Sequence, residues 1–494
     1  MWPPFVHTCA WQIFERQNTV KPIWLRSPKE VNDTEYAEFY KSAFKMSYDE
    51  PMKHTHFSLE GNVEMKSVLY VPGMLPFELS KNMFDEDAGG LRLYVKRVFI
   101  NDKFEELMPR YLKFIKGVVD SNDLPLNVGR EILQVRKQGR RAKRDRVVDC
   151  GQTAHDAPPP CSHVIMAPLT LASLALQKSK MLNVINKRLV RKSLDMIGAI
   201  AAEGEETYGK FWKNFGKYIK VGVIEDEINT QELAKLCRFQ STESGEDWRS
   251  LQNYVDDMKE GQDKIYYVTG EGKAAASMSP ALEGLKKKGF EVLFMTEPLD
   301  EIAMQTLGVY KVKVGAVDKE LKVMDATKAK FEESEDDKKM KEDSEERLKG
   351  VIEFLTEELG SKVSKVEVST RLIESPAAMV QGEYGMSPSM QRYMQAQAVA
   401  MGEGDMSGML GQMNQQILEI NPEHKIVGQL EGMLKKGDKE ASKVYGALLF
   451  DLAGITSGYN IEDPKAFSDR LVDLMEMVGN SGGGGGLQDA AVVE

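Results

Sequence analysis

The sequence predicts a multi-domain α/β protein, in which a layered α/β region is followed by a small β-α-β unit and by a mixed C-terminal region that ends in helices. Three patterns support this fold class. Short strand patterns alternate with helical patterns through residues 33–134. A strand, a helix and a second strand follow one another in residues 263–295, with glycines at both corners. Two amphipathic helical patterns close the chain before a glycine-rich tail at residues 480–494.

Size and composition limit the classes of function. A chain of 494 residues can bury more than one core, and roughly two to four domains are expected. Charged residues make up 29% of the chain and hydrophobic residues 42%, which is typical of a soluble globular protein. The net charge of −11 argues against nucleic acid as the main partner, because phosphate binding requires a cationic surface.

The cysteines and histidines show no metal-binding pattern. The four cysteines are scattered through the chain, at Cys9, Cys150, Cys161 and Cys237. Because they contain no CxxC pair, we expect reduced thiols. His54 and His56 would share one face of a strand, but the sequence suggests no third ligand near them. We therefore expect surface histidines and no bound metal.

The sequence contains no candidate membrane span. The best apolar run, residues 164–176, is too short to cross a bilayer and contains Pro168. The N-terminus has neither a basic region nor a long apolar core, so we expect no secretory signal. These observations predict a protein that is neither embedded in a membrane nor secreted.

The first region combines a helix with several strands. An amphipathic pattern predicts a helix over residues 33–44, and Pro109 can open a short helix that runs to Phe114. Strands are predicted over residues 56–59, 63–71, the first half of 91–100, and 117–120. Trp24 lies in an extended segment between two prolines. It either packs in the core or is an exposed aromatic side chain that grips a partner.

A helix start with an unusual charge follows these strands. Pro125 interrupts regular structure and Gly129 can cap a helix that begins at Arg130. Glu131 suits the positive end of the helix dipole, whereas Arg130 is unfavourable there unless it reaches outward to an anion. Gln134 lies one turn further on the same face. The local pattern also fits an ordinary surface arginine.

Residues 135–177 differ from the sequence on either side. They contain a basic cluster at 136–146 and three prolines at 158–160, without a steady periodicity. A strongly amphipathic helix follows from Lys178. We expect a disordered basic and proline-rich insertion, such as a retained intron would produce. The alternative is a localisation or nucleic-acid-binding patch.

The β-α-β unit consists of a strand at 263–269, a helix at 279–288 and a parallel strand at 290–295. The glycines at 270 and 272 lack the remaining residues of a GxGxxG motif or a P-loop, so we reject a phosphate site there. The nearly all-charged stretch 331–347 predicts a solvated linker or the entry to a helix.

The last region is rich in methionine. Met386, Met390 and Met394 recur every four residues, which indicates either a plastic core or an adaptable binding surface. A helix is predicted over residues 351–359 and a strand over 366–371. The last two predicted helices carry apolar stripes, which favour a symmetric dimer. Their members include Leu448, Leu452 and Ile455 on the first helix, and Leu471, Leu474 and Met475 on the second.

Several of these segments together resemble the heat-shock protein 90 chaperone family of the HtpG type. The matching motifs are KPIW at 21–24, LYVKRVFIND at 93–102, GVVDSNDLPLNV at 117–128, REILQ at 130–134, FWKNF at 211–215, RFQST at 238–242, IYYVTG at 265–270, ESPA at 374–377 and TSGY at 456–459. The resemblance covers almost all of the chain except residues 135–177 and the two ends.

The resemblance implies a domain order. Residues 11–134 would be the large α/β part of the family's middle domain, and residues 178–330 the remainder, with helices and the small α/β subdomain. The charged linker 331–347 would lead to a C-terminal dimerisation domain at 348–479. We expect the family's nucleotide-binding domain to have no counterpart in the chain. ATP and Mg are therefore expected for the full-length family, with none bound, and no ATP hydrolysed, by this chain alone.

The resemblance also implies roles for residues. In the family, the arginine that matches Arg130 reaches the γ-phosphate of ATP, and the glutamine that matches Gln134 supports its loop, which is the logic of an arginine finger. This chain departs from the family at Gly129, where a serine is usual, and in the insertion directly after Gln134. Client contacts are expected at Trp24 and at the methionines Met386, Met390 and Met394.

The implied function is an ATP-dependent chaperone that forms a homodimer, binds unfolded or partly folded clients and can recruit co-chaperones. The alternatives are an ATP-independent client-binding and dimerisation module, and a protein that acts through its basic segment at 136–146. The motif YVPGM at 70–74 and the ending AAVVE at 490–494 resemble organellar members, with a plastid the favoured compartment and the cytoplasm the alternative.

Overall fold

A computed structural model describes residues 21–124 and 168–481, apart from short gaps at 62, 82, 84–89, 103–106, 315–316, 330–334, 383–384, 402–415 and 462. The chain divides into two compact units, Met1–Tyr218 and Ile219–Glu494. The boundary lies within one long helix, Glu205–Glu225. Each unit is an α/β structure, in agreement with the predicted fold class.

The described strands of the first unit form a five-stranded sheet in the order β1-β2-β5-β3-β4. Neighbouring strands are antiparallel except β3 and β5, which are parallel. The strands are β1 (Lys53–Leu59), β2 (Met65–Val71), β3 (Leu91–Val95), β4 (Val98–Asn101) and β5 (Lys116–Ser121). The predicted strands are thereby confirmed.

The pattern at 91–100 is a hairpin, and only its first half is the predicted strand. Lys96 and Arg97 both have positive φ angles, of 49° and 68°. A two-residue hairpin turn with two left-handed residues matches the twist of the strands that it joins. The turn therefore reverses the chain after β3 and pairs β4 antiparallel with it.

Among the described residues, three helices belong wholly to the first unit: α1 (Asp33–Phe44), α2 (Phe77–Lys81) and α3 (Pro168–Glu203). Helix α1 has the predicted bounds and buries Tyr36 and Tyr40 against the sheet residues Val68 and Tyr70. The predicted helix after Pro109 is a single 3-10 turn, Arg110–Leu112.

Helix α3 begins before the position that the sequence predicted. Residues 168–177 are helical, so the expectation of a disordered segment is wrong for this end of the stretch 135–177. Pro168 stands at the first helical position, where its missing N–H costs no hydrogen bond. The leucines and alanines that follow are good helix formers.

The described strands of the second unit form a six-stranded and a three-stranded sheet. The larger has the order β10-β11-β8-β9-β6-β7. Its strands are β6 (Arg238–Ser241), β7 (Arg249–Ser250), β8 (Lys264–Thr269), β9 (Val292–Met295), β10 (Val309–Val314) and β11 (Val317–Asp325). Strands β8 and β9 are parallel, as the β-α-β pattern predicted.

Helix α4 (Glu205–Glu225) enters the second unit, and in the described part of that unit five short helices accompany the larger sheet. They are α5 (Thr230–Leu236), α6 (Leu251–Asp256), α7 (Gly272–Ser277), α8 (Glu283–Lys288) and α9 (Pro298–Leu307). The predicted helix at 279–288 is a 3-10 turn, Pro280–Leu282, that continues into α8.

The smaller sheet has the order β12-β14-β13 and lies beside the C-terminal helices. Its strands are β12 (Lys365–Val368), β13 (Ala377–Gln381) and β14 (Gln416–Ile420). The helices are α10 (Glu335–Leu359), α11 (Pro388–Met401), α12 (Lys425–Lys436), α13 (Lys439–Thr456) and α14 (Pro464–Ser481). Leu355, Leu418, Leu430 and Leu449 lie in their shared core.

Most of the charged stretch 331–347 is the entry to a helix, the second of the two predicted alternatives, because α10 begins at Glu335. Glutamate and lysine are good helix formers and can pair one turn apart, so a highly charged stretch can be helical without an apolar face. In the ranges that the structure describes, no helix combines the length and the apolar character needed to cross a membrane.

Candidate functional site

Arg130 and Gln134 lie outside the described residues, but the strand that leads to them is described. Strand β5 lies between β2 and β3 and is buried along its whole length. The Ser121 hydroxyl donates to the carbonyl of Glu64 at 3.0 Å, and the Glu64 N–H donates to the Asp123 carboxylate at 2.6 Å. The chain therefore leaves the sheet from a firmly anchored point.

A buried carboxylate joins three elements at the end of β5. Asp120 is 5% exposed and accepts a hydrogen bond from the indole N–H of Trp24 at 3.0 Å. It also accepts one from the backbone N–H of Arg97, in the β3-β4 turn, at 3.2 Å. These donors satisfy a carboxylate that would otherwise be costly to bury. Sequence reasoning missed Asp120 because its partners are distant in the chain.

Trp24 is a core residue. Its side chain is 8% exposed and packs against Tyr94 and Phe39, with ring centroids 5.0 and 5.9 Å away. The prediction that Trp24 is an exposed aromatic that grips a client is therefore wrong for this structure, and the core alternative holds. The physical reason is that Asp120 supplies the acceptor that a buried indole N–H needs.

The two histidines are half-buried, and not on the open surface as predicted. Tyr36 of α1 covers them: its ring stacks on His54 at a centroid distance of 4.1 Å, and its hydroxyl lies 2.7 Å from Nδ1 of His56. Nε2 of His56 lies 3.3 Å from the carbonyl of Trp24. Burial lowers the pKa of both imidazoles, so they favour the neutral form.

Exposed apolar side chains lie on two contacting segments of the first unit, the loop that follows α1 and the loop that leads into the first residue of α2. Tyr48, Met74 and Phe77 are 69%, 56% and 66% exposed, and together we call them the Met74 loop surface. The loops are held together by Asp49, whose carboxylate accepts from the Gly73 N–H at 3.2 Å. Large exposed apolar groups of this kind mark interaction sites. Sequence reasoning did not identify them.

Gly73 is required where these loops meet. A Cβ at this position would lie 2.4 Å from the carbonyl oxygen of Glu50. The Gly73 carbonyl in turn accepts from the side-chain amide of Asn214 at 3.0 Å. The backbone beneath the Met74 loop surface is therefore closely packed, although the apolar side chains themselves are exposed.

The methionines predicted to contact clients lie at the start of α11. Met390 and Met394 are on the helix and Met386 precedes it, and all are half-buried. Tyr393, on the same helix, is 47% exposed. The structure therefore places these side chains between the two predicted alternatives, partly packed and partly accessible.

Polar contacts hold the start of α11 against α9 and against the residue that precedes α7. The Ser387 hydroxyl donates to the carboxylate of Glu301 on α9, and the Arg392 guanidinium pairs with Glu271 at 2.8 Å. Glu301 is 2% exposed and also accepts from Gln305 at 3.0 Å. Its burial raises the pKa of the carboxyl group to about 7.

The stripes predicted to form a dimer are largely uncovered in the single chain. On α13, Leu452 and Ile455 are 39% and 43% exposed and Leu448 is half-buried. On α14, Leu471 and Met475 are 39% and 74% exposed, and Leu474 is half-buried. The opposite side of α13 enters the core through small residues such as Gly446, where an added Cβ would lie 3.0 Å from Leu355.

Neither metal nor redox chemistry is indicated by the residues that the structure describes. Among them, no three histidine, cysteine, aspartate or glutamate side chains come together as possible metal ligands. Cys237 is buried and is not in a disulfide. Burial raises the pKa of its thiol to about 12, so it stays protonated at neutral pH.

Comparisons with known proteins agree with the motifs. The family model described as Hsp90 protein matches residues 6–149 and 166–482. Heat shock protein 90-5, chloroplastic, of Arabidopsis thaliana is 38% identical over 94% of this chain and 53% of its own length. Heat shock protein 90-6, mitochondrial, of the same plant is 36% identical over 94% of this chain and 51% of its own length.

Two further proteins extend the comparison. Heat shock protein 83 of Leishmania donovani is 37% identical over 94% of this chain and 90% of its own sequence. The solved middle domain of a Plasmodium falciparum heat shock protein is 39% identical, with a TM-score of 0.48 over 62% of this chain and all of that domain. The chain spans about half the length of the Arabidopsis relatives. The match of the family model over most of the sequence shows that this chain belongs to the Hsp90 family of chaperones.

Proposed function

We propose that this chain is the client-binding and dimerising part of an Hsp90-type chaperone. The observation that carries the proposal is the Met74 loop surface, which exposes Tyr48, Met74 and Phe77 on a closely packed backbone. Unfolded and partly folded proteins expose apolar side chains, and a surface of this kind can bury them. Covering one large apolar side chain contributes roughly 1.5–3 kcal/mol.

A second client contact is proposed at α11. Met386, Met390 and Met394 are half-buried, and Tyr393 beside them is exposed. Methionine adapts to many apolar shapes, which suits a site that binds varied sequences. Trp24 has no direct role in this proposal because it is buried.

Client binding is tested by suppression of aggregation of a thermally unfolded model protein. We expect Phe77→Asp and Met74→Asp to weaken suppression, because a charge on the apolar surface must be desolvated when the client binds. Ile228→Asp is a matched control, since Ile228 is 83% exposed and lies in the other unit. Equal suppression by all three variants would contradict the proposal.

The ATP-dependent part of the proposal concerns Arg130 and Gln134. We propose that Arg130 stabilises charge on the γ-phosphate and that Gln134 supports its loop, with ATP and Mg held by a nucleotide-binding domain and not by this chain alone. Family membership and the anchored end of β5 support this role.

The test is ATP turnover by the chain alone and after addition of a family nucleotide-binding domain. We expect no turnover alone, and turnover that falls at least roughly a hundredfold on Arg130→Ala with the added domain. ATP hydrolysis by the chain alone would contradict the proposal. Suppression of aggregation that needs no nucleotide would favour the alternative, an ATP-independent client-binding module.

We propose that the exposed stripes of α13 and α14 form the interface of a homodimer. Analytical ultracentrifugation of the purified chain should show a dimer, and Leu452→Asp combined with Ile455→Asp should shift it to the monomer. The Ile228→Asp control should remain dimeric. If the unmodified chain is a monomer at micromolar concentration, the proposed homodimer is contradicted.

The remaining proposals concern partners and compartment. Co-chaperones are proposed as further partners, and an organelle, with a plastid favoured, as the compartment. Fractionation of the native protein with an antibody against α13 tests the compartment, and recovery only in the cytosol would contradict it. Deletion of residues 135–177 tests the basic segment: loss of nucleic-acid binding on deletion would favour that alternative function.

A further inference from the structure

The segment between β12 and β13 wraps around the carboxylate of Glu283, the first residue of α8. Three successive backbone N–H groups donate to this carboxylate: Ile373 at 2.5 Å, Glu374 at 2.9 Å and Ser375 at 3.1 Å. The Ser375 hydroxyl donates to it as well, at 2.5 Å. We call these contacts the Glu283 clasp. It joins the α/β region of the larger sheet to the C-terminal sheet.

Successive N–H groups that converge in this way form an anion-binding concavity. The carbonyl groups of the same segment are held from the other side, because Asn421 donates its side-chain amide to Ile373 at 3.3 Å and to Ser375 at 3.0 Å. The Glu283 carboxylate is therefore the anion around which the segment is shaped. A stronger anion at the same place would compete with it.

We propose that Ser375 is a phosphorylation site whose modification opens the Glu283 clasp. Ser375 is followed by Pro376, the pair that proline-directed serine/threonine kinases accept, and it is half-buried. The residues immediately before it, Ile373 and Glu374, are exposed, so the segment is reachable at the surface. This inference does not depend on ATP hydrolysis or on client binding by the chain.

The reaction is an ordinary phosphoryl transfer from ATP, catalysed by the kinase. The Ser375 oxygen forms a bond to the γ-phosphorus, the bond from that phosphorus to the β-γ bridging oxygen breaks, and ADP leaves. The hydroxyl proton passes to the catalytic base of the kinase. The proton that Ser375 now donates to Glu283 is thereby lost, and one stabilising contact becomes a repulsive one.

The physical consequence follows from charge. A phosphoserine carries about −1.5 to −2 charges at neutral pH, and here it would stand against the Glu283 carboxylate. Arg371, on the same segment, is already engaged with Glu419 at 2.8 Å and with the carbonyl of Ala326 at 2.9 Å. The phosphate and Glu283 need the same backbone N–H groups, so Glu283 is displaced.

The contacts that remain make the opening local. Arg371 still bonds to Ala326, and Ser387 still bonds to Glu301, across the same pair of regions. The modification therefore loosens one side of the contact between the α/β region and the C-terminal sheet without unfolding either. The cell could then weaken and restore this contact reversibly.

The experiment treats the full chain with a proline-directed serine/threonine kinase and MgATP, and maps the phosphate by mass spectrometry. Hydrogen exchange of the amides at 373–375 reports the clasp. We expect phosphate on Ser375, with amide exchange faster by roughly tenfold or more, since hydrogen bonds to a charged group are worth more than about 1.4 kcal/mol. Glu283→Gln should speed exchange in the same amides without any kinase.

Control variants separate phosphorylation of Ser375 from opening of the Glu283 clasp. Ser375→Ala should abolish the phosphate and keep the backbone amides protected, while Ser375→Glu should imitate the modification in the absence of kinase. Exchange in α13 checks that each variant is folded. An unmodified Ser375, or modification only when Glu283→Gln has already opened the clasp, would overturn the proposal. Phosphorylation without faster exchange at 373–375 would overturn it equally.

Discussion

Glu301 gives the clearest quantitative prediction about stability and pH. Its side chain is 2% exposed and accepts hydrogen bonds from Ser387 and Gln305. Burial is the main cause of its raised pKa, and the negative charge of Asp325 adds to it, whereas Lys328 opposes it. We change this residue by Glu301→Gln, which keeps the shape of the side chain and removes its ionisation.

The magnitude follows from the shift of the pKa from 4.5 to about 7. A difference of one pKa unit corresponds to about 1.4 kcal/mol, so the full shift is worth roughly 3 kcal/mol. The folded protein binds this proton more tightly than the unfolded chain does. The contribution to stability is therefore fully present below pH 4.5 and is lost as the pH rises to about 7.

The assay is urea denaturation, followed by circular dichroism, of the unmodified chain and the Glu301→Gln variant between about pH 5 and about pH 8. Other titrating groups are common to both proteins and largely cancel in the difference. We expect the variant to gain stability relative to the unmodified chain as the pH rises, by roughly 1–3 kcal/mol over this range. Glu357→Gln, at an exposed carboxylate on α10, is the control and should show no such trend. A difference for Glu301→Gln that is the same at both pH values would refute the reasoning.

Three further outcomes follow from the first unit and from Cys237. Trp24→Phe leaves the buried Asp120 without its indole donor, so the free energy of unfolding in urea should fall by roughly 1–3 kcal/mol. The same change should cost much less in a chain that already carries Asp120→Asn. Fully additive effects of the two substitutions would contradict the contact. Gly73→Ala should destabilise the first unit by roughly 1–3 kcal/mol, measured as a lower thermal midpoint. Gly61→Ala is the comparison: no atom lies within 4 Å of the added Cβ, so this variant tests the effect of backbone strain alone. Cys237 should resist a thiol reagent at about pH 8 in the folded protein and react in urea, because burial raises its pKa to about 12; fast labelling of the folded chain would argue against that burial.

The local elements of this protein could be predicted because their signals lie within a few residues of one another. Helix α1 has the predicted bounds, since Tyr36 and Tyr40 recur at the helical period. The parallel pairing of β8 with β9 follows from a crossover that is too long for a hairpin. At 91–100 the predicted strand is present, and a tight turn and β4 follow it. At 331–347 the structure favours the second of the two predicted alternatives, because α10 begins at Glu335.

The candidate site, too, was predicted from the sequence only in part. The sequence by itself determined the family, through motifs such as KPIW and GVVDSNDLPLNV, and it identified the apolar stripes of the last two helices. It left open whether Trp24 faces the core or a partner. Only the tertiary structure decided that question, because the indole N–H finds its acceptor in Asp120, which is far away in the chain.

The same reason explains the Met74 loop surface and the Glu283 clasp. Residues 373–375 meet Glu283 across a long stretch of sequence, and no periodicity within either segment indicates their contact. Periodicity reports which side of an element is apolar, because that depends on near neighbours in the chain. Which polar groups then meet, and which apolar groups stay exposed, depends on how the elements pack, and that was decided only by the tertiary structure.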